Sequence, residues 1–156
     1  MSKVEEAKPS SRVDALKEWT LNYYDAALNK GDMSIVDEIA EGTFTYCKNN
    51  IWPIEGAEGI KASMTRIRNA VPDVHFTIEE FFIEENTTVD DNLIADQVCI
   101  WWNWTGTFKG ELRGIKPTGK FLTVHGASLL FVKDFKLIGA RAVSDIYQAV
   151  GQLPPE

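Results

Sequence analysis

Apolar residues recur along this chain with two different periods, and the change falls at Pro72. Before it, Leu16, Trp19, Tyr23 and Ala26 or Ala27 lie three or four apart, with Leu21, Tyr24 and Leu28 on an adjoining stripe. That spacing predicts an amphipathic helix with a broad apolar face. Gly31 offers a C-terminal stop, and Asp32 an N-cap for a shorter helix that turns Met33, Val36 and Ile39 or Ala40 inward. Thr43 to Cys47 alternates weakly as a short strand. Gly56 to Ala70 then places Ile60, Met64 and Ile67, followed by Val71, on one face of a third helix that Pro72 ends.

Beyond Pro72 the period is two. Val74, Phe76 and Ile78 alternate with His75, Thr77 and Glu79, and Phe81 to Ile83 break the alternation, which predicts a bulge near Glu79-Glu80. Asn86 to Asn92 is expected to be a loop, Gly106 to interrupt the strand before it, and Gly110 to Gly119 to form the next connection. Lys120 to Val132 and Phe135 to about Tyr147 complete the strands, with Lys133-Asp134 as the turn between them. Three helices followed by four or more antiparallel strands predict an α+β domain, a curved sheet with helices on its concave side. The domain is expected over residues 12–152, after a polar, poorly ordered tail at 1–11.

Composition narrows the partners. The 156 residues are 44% apolar and 25% charged, enough for one domain with its own core, and the net charge of -7 argues against nucleic acid and anionic membrane. Cys47 and Cys99 build neither a disulfide framework nor a metal-ligand spacing, so no metal and no cofactor is predicted and a reducing cytoplasm is the expected compartment. No stretch approaches the ~20 apolar residues of a membrane span, and MSKVEEAKPSSR lacks the apolar run of a secretory signal. A small apolar molecule or another protein remains as partner.

Three of the five tryptophans stand in Gln97 to Phe108, QVCIWWNWTGTF. In a strand, Trp101, Asn103 and Thr105 share one face and Trp102 and Trp104 the other. An indole with an amide and a hydroxyl suits a cavity wall, and two adjacent indoles suit dry packing or a subunit contact. Elsewhere, His125 beside Gly126 reads as a general acid/base or as a hydrogen-bonded, outward histidine. Counting by twos from Ser128 puts Val124 and Gly126 on the face of Ser128 and His125 on the other. Cys47 reads as a nucleophile or as an inert buried thiol.

Several strings, in order, resemble the SnoaL-like polyketide cyclases: Ala26-Ala27-Leu28-Asn29-Lys30-Gly31-Asp32, Gly56-Ala57-Glu58-Gly59-Ile60-Lys61, Val71-Pro72-Asp73-Val74-His75-Phe76, Thr105-Gly106-Thr107 and Gly114-Ile115-Lys116-Pro117-Thr118-Gly119-Lys120. The resemblance implies the cone-shaped fold of nuclear transport factor 2 and ketosteroid isomerase, with three helices closing a bent sheet around a pocket and dimers forming through the convex face. It places Trp101, Asn103 and Thr105 in the pocket, and Trp102 and Trp104 at the dimer contact. Tyr24 falls where the isomerases hold an oxyanion-hole tyrosine. Their general base falls near Cys47 and their second oxyanion acid near Ser128. The Arg and two Asp of the epoxide hydrolases fall at Trp101, Asn103 and Ala142, so that mechanism is absent. The Trp-Asp pair of many members' last strand is Arg141-Ala142 here, with Asp145 three residues on.

The resulting expectation is a cofactor-independent cyclase or isomerase acting on a polyketide or terpenoid-like carbonyl compound, as in secondary metabolism. Tyr24 and Asn103 would orient the carbonyl and His125 or Asp145 would move the proton, while Trp19, Cys47, Trp101 and Ser128 would contact the substrate. The alternatives are a non-catalytic module binding the same class of molecule and a protein-interaction domain presenting Trp102 and Trp104.

Overall fold

The computed structural model describes residues 11–40, 45–46, 54–90 and 93–151. Ser11 caps the first helix, its hydroxyl accepting from the Asp14 N–H at 3.1 Å. Helix α1 runs Arg12–Tyr24 and widens at once into a π-turn, Asp25–Asn29. Gly31 then adopts φ +72, and Asp32 accepts from the Ser34 N–H to open α2, Ser34–Ile39. The third helix is α3, Gly56–Ala70, preceded by two-residue strands β1, Thr45–Tyr46, and β2, Ile54–Glu55.

The sheet is built by β3, His75–Asp90, β4, Leu93–Thr107, β5, Phe121–Lys133, and β6, Lys136–Ser144, and a short α4, Ile146–Ala149, follows. Strand order is β2-β1-β6-β5-β4-β3. The four long strands pair antiparallel, and β1 meets β6 in parallel. The expected α+β architecture holds, with an open curved sheet and helices against it. Among the described residues, no helix is long and apolar enough to cross a membrane.

Two expectations about the strands change. The bulge falls where predicted, between Ile78 and Glu80, but β3 does not end at Asn86. Asn86 takes φ +52 in a second irregularity, between Glu84 and Thr87, and the strand continues to Asp90. A buried carboxylate holds this region, since Asp96 accepts from the Asn86 N–H at 3.0 Å and from two Arg12 nitrogens at 2.7 and 3.0 Å. The pair ties the start of α1 to β4. Gly106 does not interrupt β4, which runs through it to Thr107. A Cβ there would lie 2.2 Å from a Val71 methyl, so glycine lets the strand pass close under the end of α3. Asp73 closes that junction by accepting from the Thr107 N–H at 2.7 Å and its hydroxyl at 2.8 Å, bonds that hold the Asp73 carboxyl below the usual range. At the other end of the sheet, the chain turns from β5 to β6 with Asp134 and Phe135 both at positive φ.

Candidate functional site

The inner face of the sheet carries Phe76, Trp102, Trp104, Val124, Ser128 and Leu130, all buried against the helices. Between them and α3 lies a small cavity, about 80 Å³ and open on one side. Phe76, Trp102, Trp104 and Ser128 face it from the sheet, Tyr24 and Leu28 from α1 and its π-turn, and Ser63 and Met64 from α3. None of its described lining residues is a carboxylate or an imidazole.

Its geometry follows from local sequence. Phe76 pairs with Trp104, and Trp102 with Gly126, so the alternation of three adjacent strands brings these groups to one side. The Tyr24 ring stacks on Phe76 at 4.6 Å and 10°, and Phe76 meets Trp102 at 5.3 Å and 36°. Trp102 donates its Nε1–H to Ser128 Oγ at 2.9 Å, a bond buried in the pocket wall. The indole reaches that far only because residue 126 is glycine, where a Cβ would sit 2.3 Å from the ring.

The π-turn positions the other wall. Lys30 N–H reaches back to the Asp25 carbonyl at 2.9 Å, one residue further than in an α-helix. Asn29 is thereby aimed at β3, where its side chain accepts from the Phe76 N–H at 2.6 Å and donates to the Phe76 carbonyl at 3.1 Å. It bonds Phe76 as a neighbouring strand would. Arg68 donates to the Leu28 and Asn29 carbonyls at the end of the turn, and Gly31 leaves room for its guanidinium. Asp25 accepts from Lys30 and Asn29, and these bonds, Lys30 first, hold its carboxyl below the usual range. Behind Tyr24, with ring centroids 4.6 Å apart, burial pushes the Tyr23 phenol well above its ordinary value, so it stays protonated across the physiological range.

The sequence-predicted residues divide sharply. Tyr24 and Ser128 line the cavity. Trp101 and Asn103 do not, because the faces of β4 are the reverse of those expected. Trp101 is 46% exposed on the outer face, and Asn103 lies on that face with its amide on Glu79. Trp102 and Trp104, expected at a dimer contact, are instead 8% and 2% exposed inside the fold. His125 pairs with Asn103 on the outer face, where its N–H donates to Asp145 Oδ1 at 2.8 Å and its Nδ1 lies 3.7 Å from Oδ2. The structure thus brings Asn103, His125 and Asp145 together, but across the sheet from the pocket. Trp19 is half-buried beside Tyr23, outside the cavity lining, and Cys47 lies outside the described residues. Sequence reasoning missed Trp102, Trp104, Ser63 and Met64 as lining. The available signal was that Gly126 and Ser128 share a face, since a large inward indole needs a small residue opposite. Among the described residues, no group of three or more His, Cys, Asp or Glu side chains is placed to hold a metal ion.

Residues 19–153 match the sequence pattern of the SnoaL-like polyketide cyclases. The chain belongs to the SnoaL-like polyketide cyclase family. Comparison with curated proteins finds no match. Among solved structures, this SnoaL-like chain is similar to TsrD from Streptomyces laurentii, at 18% identity over 92% of this chain and 98% of that one, with a TM-score of 0.73. It is also similar to a SnoaL-like polyketide cyclase from Agrobacterium tumefaciens, at 14% identity over 88% and 95% of the two chains and a TM-score of 0.65. A third likeness is to a Catenulispora acidiphila protein with a ketosteroid isomerase-like fold, solved with trimethylamine, at 19% identity over 86% and 92% and a TM-score of 0.62. At these identities the likenesses bear on the fold, and the SnoaL-like membership rests on the family match.

Proposed function

We propose that this protein is a cofactor-independent cyclase or isomerase that binds a carbonyl compound in the inner pocket and stabilises its enol or enolate by hydrogen-bond donation. The observation that carries this reading is the Trp102–Ser128 bond. A hydroxyl that accepts from an indole N–H keeps its own proton to donate, and here it does so in an apolar cavity also lined by Tyr24. Donors fixed in a water-poor site stabilise developing negative charge without reorganising. With no carboxylate or imidazole among the described lining, the pocket supplies donors and enclosure, and the proton leaves to solvent or to a second group of the substrate itself.

Acetophenone serves as a minimal ligand, its methyl protons exchanging with solvent through the enol. The protein is expected to accelerate deuterium uptake in D₂O, and Ser128→Ala to reduce that acceleration roughly tenfold, the worth of one hydrogen bond of about 1.4 kcal/mol. Binding with no exchange above buffer would favour the alternative, a module that holds such compounds unchanged.

For the assembly, we propose that a second copy covers the outer face of the sheet. Phe82, Trp101 and Val143 are 62, 46 and 67% exposed there, and the register sets Phe82, Cys99, Leu129 and Arg141 in one row beside Glu80, Trp101, Ala127 and Val143 in the next. Glu80 and Arg141 mark opposite edges of this patch. A two-fold axis lying in this face, perpendicular to the line that joins Glu80 and Arg141, lays one over the other while burying the apolar middle. Sedimentation should show a dimer at micromolar concentration and a monomer for Trp101→Asp; a monomeric wild type would refute it.

A further inference from the structure

The pocket is small for a family whose name refers to polyketides, and Trp102 and Trp104 are the largest side chains that line it. Trp102 lies across the pocket from β4. Its indole spans the backbone of Gly126, is tethered at Nε1 to Ser128 2.9 Å away, and is held from the other side by Phe76 at 5.3 Å. A ring fixed on three sides cannot swing aside as a free side chain would. Opposite it stand Met64 and Ile67 of α3, leaving about 80 Å³. An apolar cavity of roughly 150 Å³ takes a benzene molecule whole. Half that space, only partly enclosed, admits no more than a single ring.

We infer that Trp102 is a specificity-determining residue that restricts the inner pocket to one carbonyl-bearing ring, so that fused polycyclic ketones are refused. This rests on the reading of the pocket as the ligand site and adds the size class of what enters it. The ring admitted lies against the indole face, and its carbonyl lies within reach of the Ser128 hydroxyl that the same indole orients. Trp102 therefore acts twice, as the floor that limits depth and as the group that positions a donor. Gly126 is the permissive partner, because any side chain there would displace the indole from both tasks.

The test compares acetophenone, with one ring, and 9-fluorenone, with three fused rings, by titration calorimetry on the wild type, Trp102→Phe and Trp102→Leu, with circular dichroism melts to establish folding. The wild type is expected to bind acetophenone saturably and fluorenone at least roughly tenfold more weakly, although the larger ketone has more apolar surface to bury. Trp102→Leu is expected to reverse that order, and Trp102→Phe to weaken acetophenone while gaining less for fluorenone. Fluorenone binding the wild type as tightly as acetophenone would overturn the inference without using a variant, so a failure of either variant to fold leaves it testable. Equal fluorenone affinity for wild type and folded Trp102→Leu would also overturn it. If no folded protein binds either ketone, the pocket reading itself falls, a result distinct from binding without size selection.

Discussion

Tyr24→Phe is expected to slow the acetophenone exchange reaction by roughly 100-fold, the scale for losing one oxyanion donor from a preorganised site. The substitution removes a single oxygen. The ring that stacks on Phe76 at 4.6 Å remains, and the bonds that hold Phe76 to the π-turn are made by the Asn29 amide. Ligand affinity should therefore change little while the rate falls, because a donor matched to developing charge matters more in the transition state than in the ground state. An unchanged rate would remove the Tyr24 hydroxyl from the chemistry and leave the aromatic stack as its role. A parallel loss of affinity and rate would instead point to a binding contact felt equally in both states.

The second large effect concerns stability. Trp104→Ala is expected to cost about 3–5 kcal/mol, the range for deleting a fully buried large aromatic, and to lower the melting temperature by roughly 10 °C or more. Trp104 is 2% exposed between Phe76 on β3 and Val124 on β5. Three residues earlier on the same strand, Trp101→Ala is expected to cost under about 1 kcal/mol in the monomer, because its indole stands on the outer face. Urea denaturation of the two variants side by side measures the contrast. Equal costs would mean that the strand does not present its faces as described.

Those two tryptophans also show where sequence is informative and where it stops. The helices were legible because their apolar residues repeat at three and four with polar residues between, and the bulge at Ile78–Glu80 was legible because Phe81 and Phe82 break a clean alternation. The faces of β4 were not. Alternation reveals which face is inward only when the two faces differ in polarity, and Trp101, Trp102 and Trp104 place indoles on both. A shift of one residue in such a strand exchanges every side chain between core and surface. Transfer from relatives with Arg and Asp at these positions made that shift. The count along β5, which set Gly126 and Ser128 against His125, needed no such transfer and came out right. The continuation of β3 past Asn86 was hidden for a different reason. It depends on Asp96 ten residues on, a buried carboxylate satisfied by Arg12 from the far end of the chain, and no local window contains all three. The π-turn after Tyr24 left no sequence signature, although Asn29 ends it and Gly31 and Asp32 lead from it into α2.

Asn29 has a further consequence outside the pocket. β3 is the outermost strand of the sheet and sixteen residues long, and such an edge invites another chain to add itself. At Phe76 both outward backbone groups are already taken by the Asn29 amide. Beyond it, three irregularities and the glutamates at 79, 80, 84 and 85 spoil the regular ladder that an incoming strand would need. The side chain that fixes the aromatic wall also blocks intermolecular strand addition at the start of the exposed edge, so losing it would leave the protein open to aggregation as well as to a displaced Phe76.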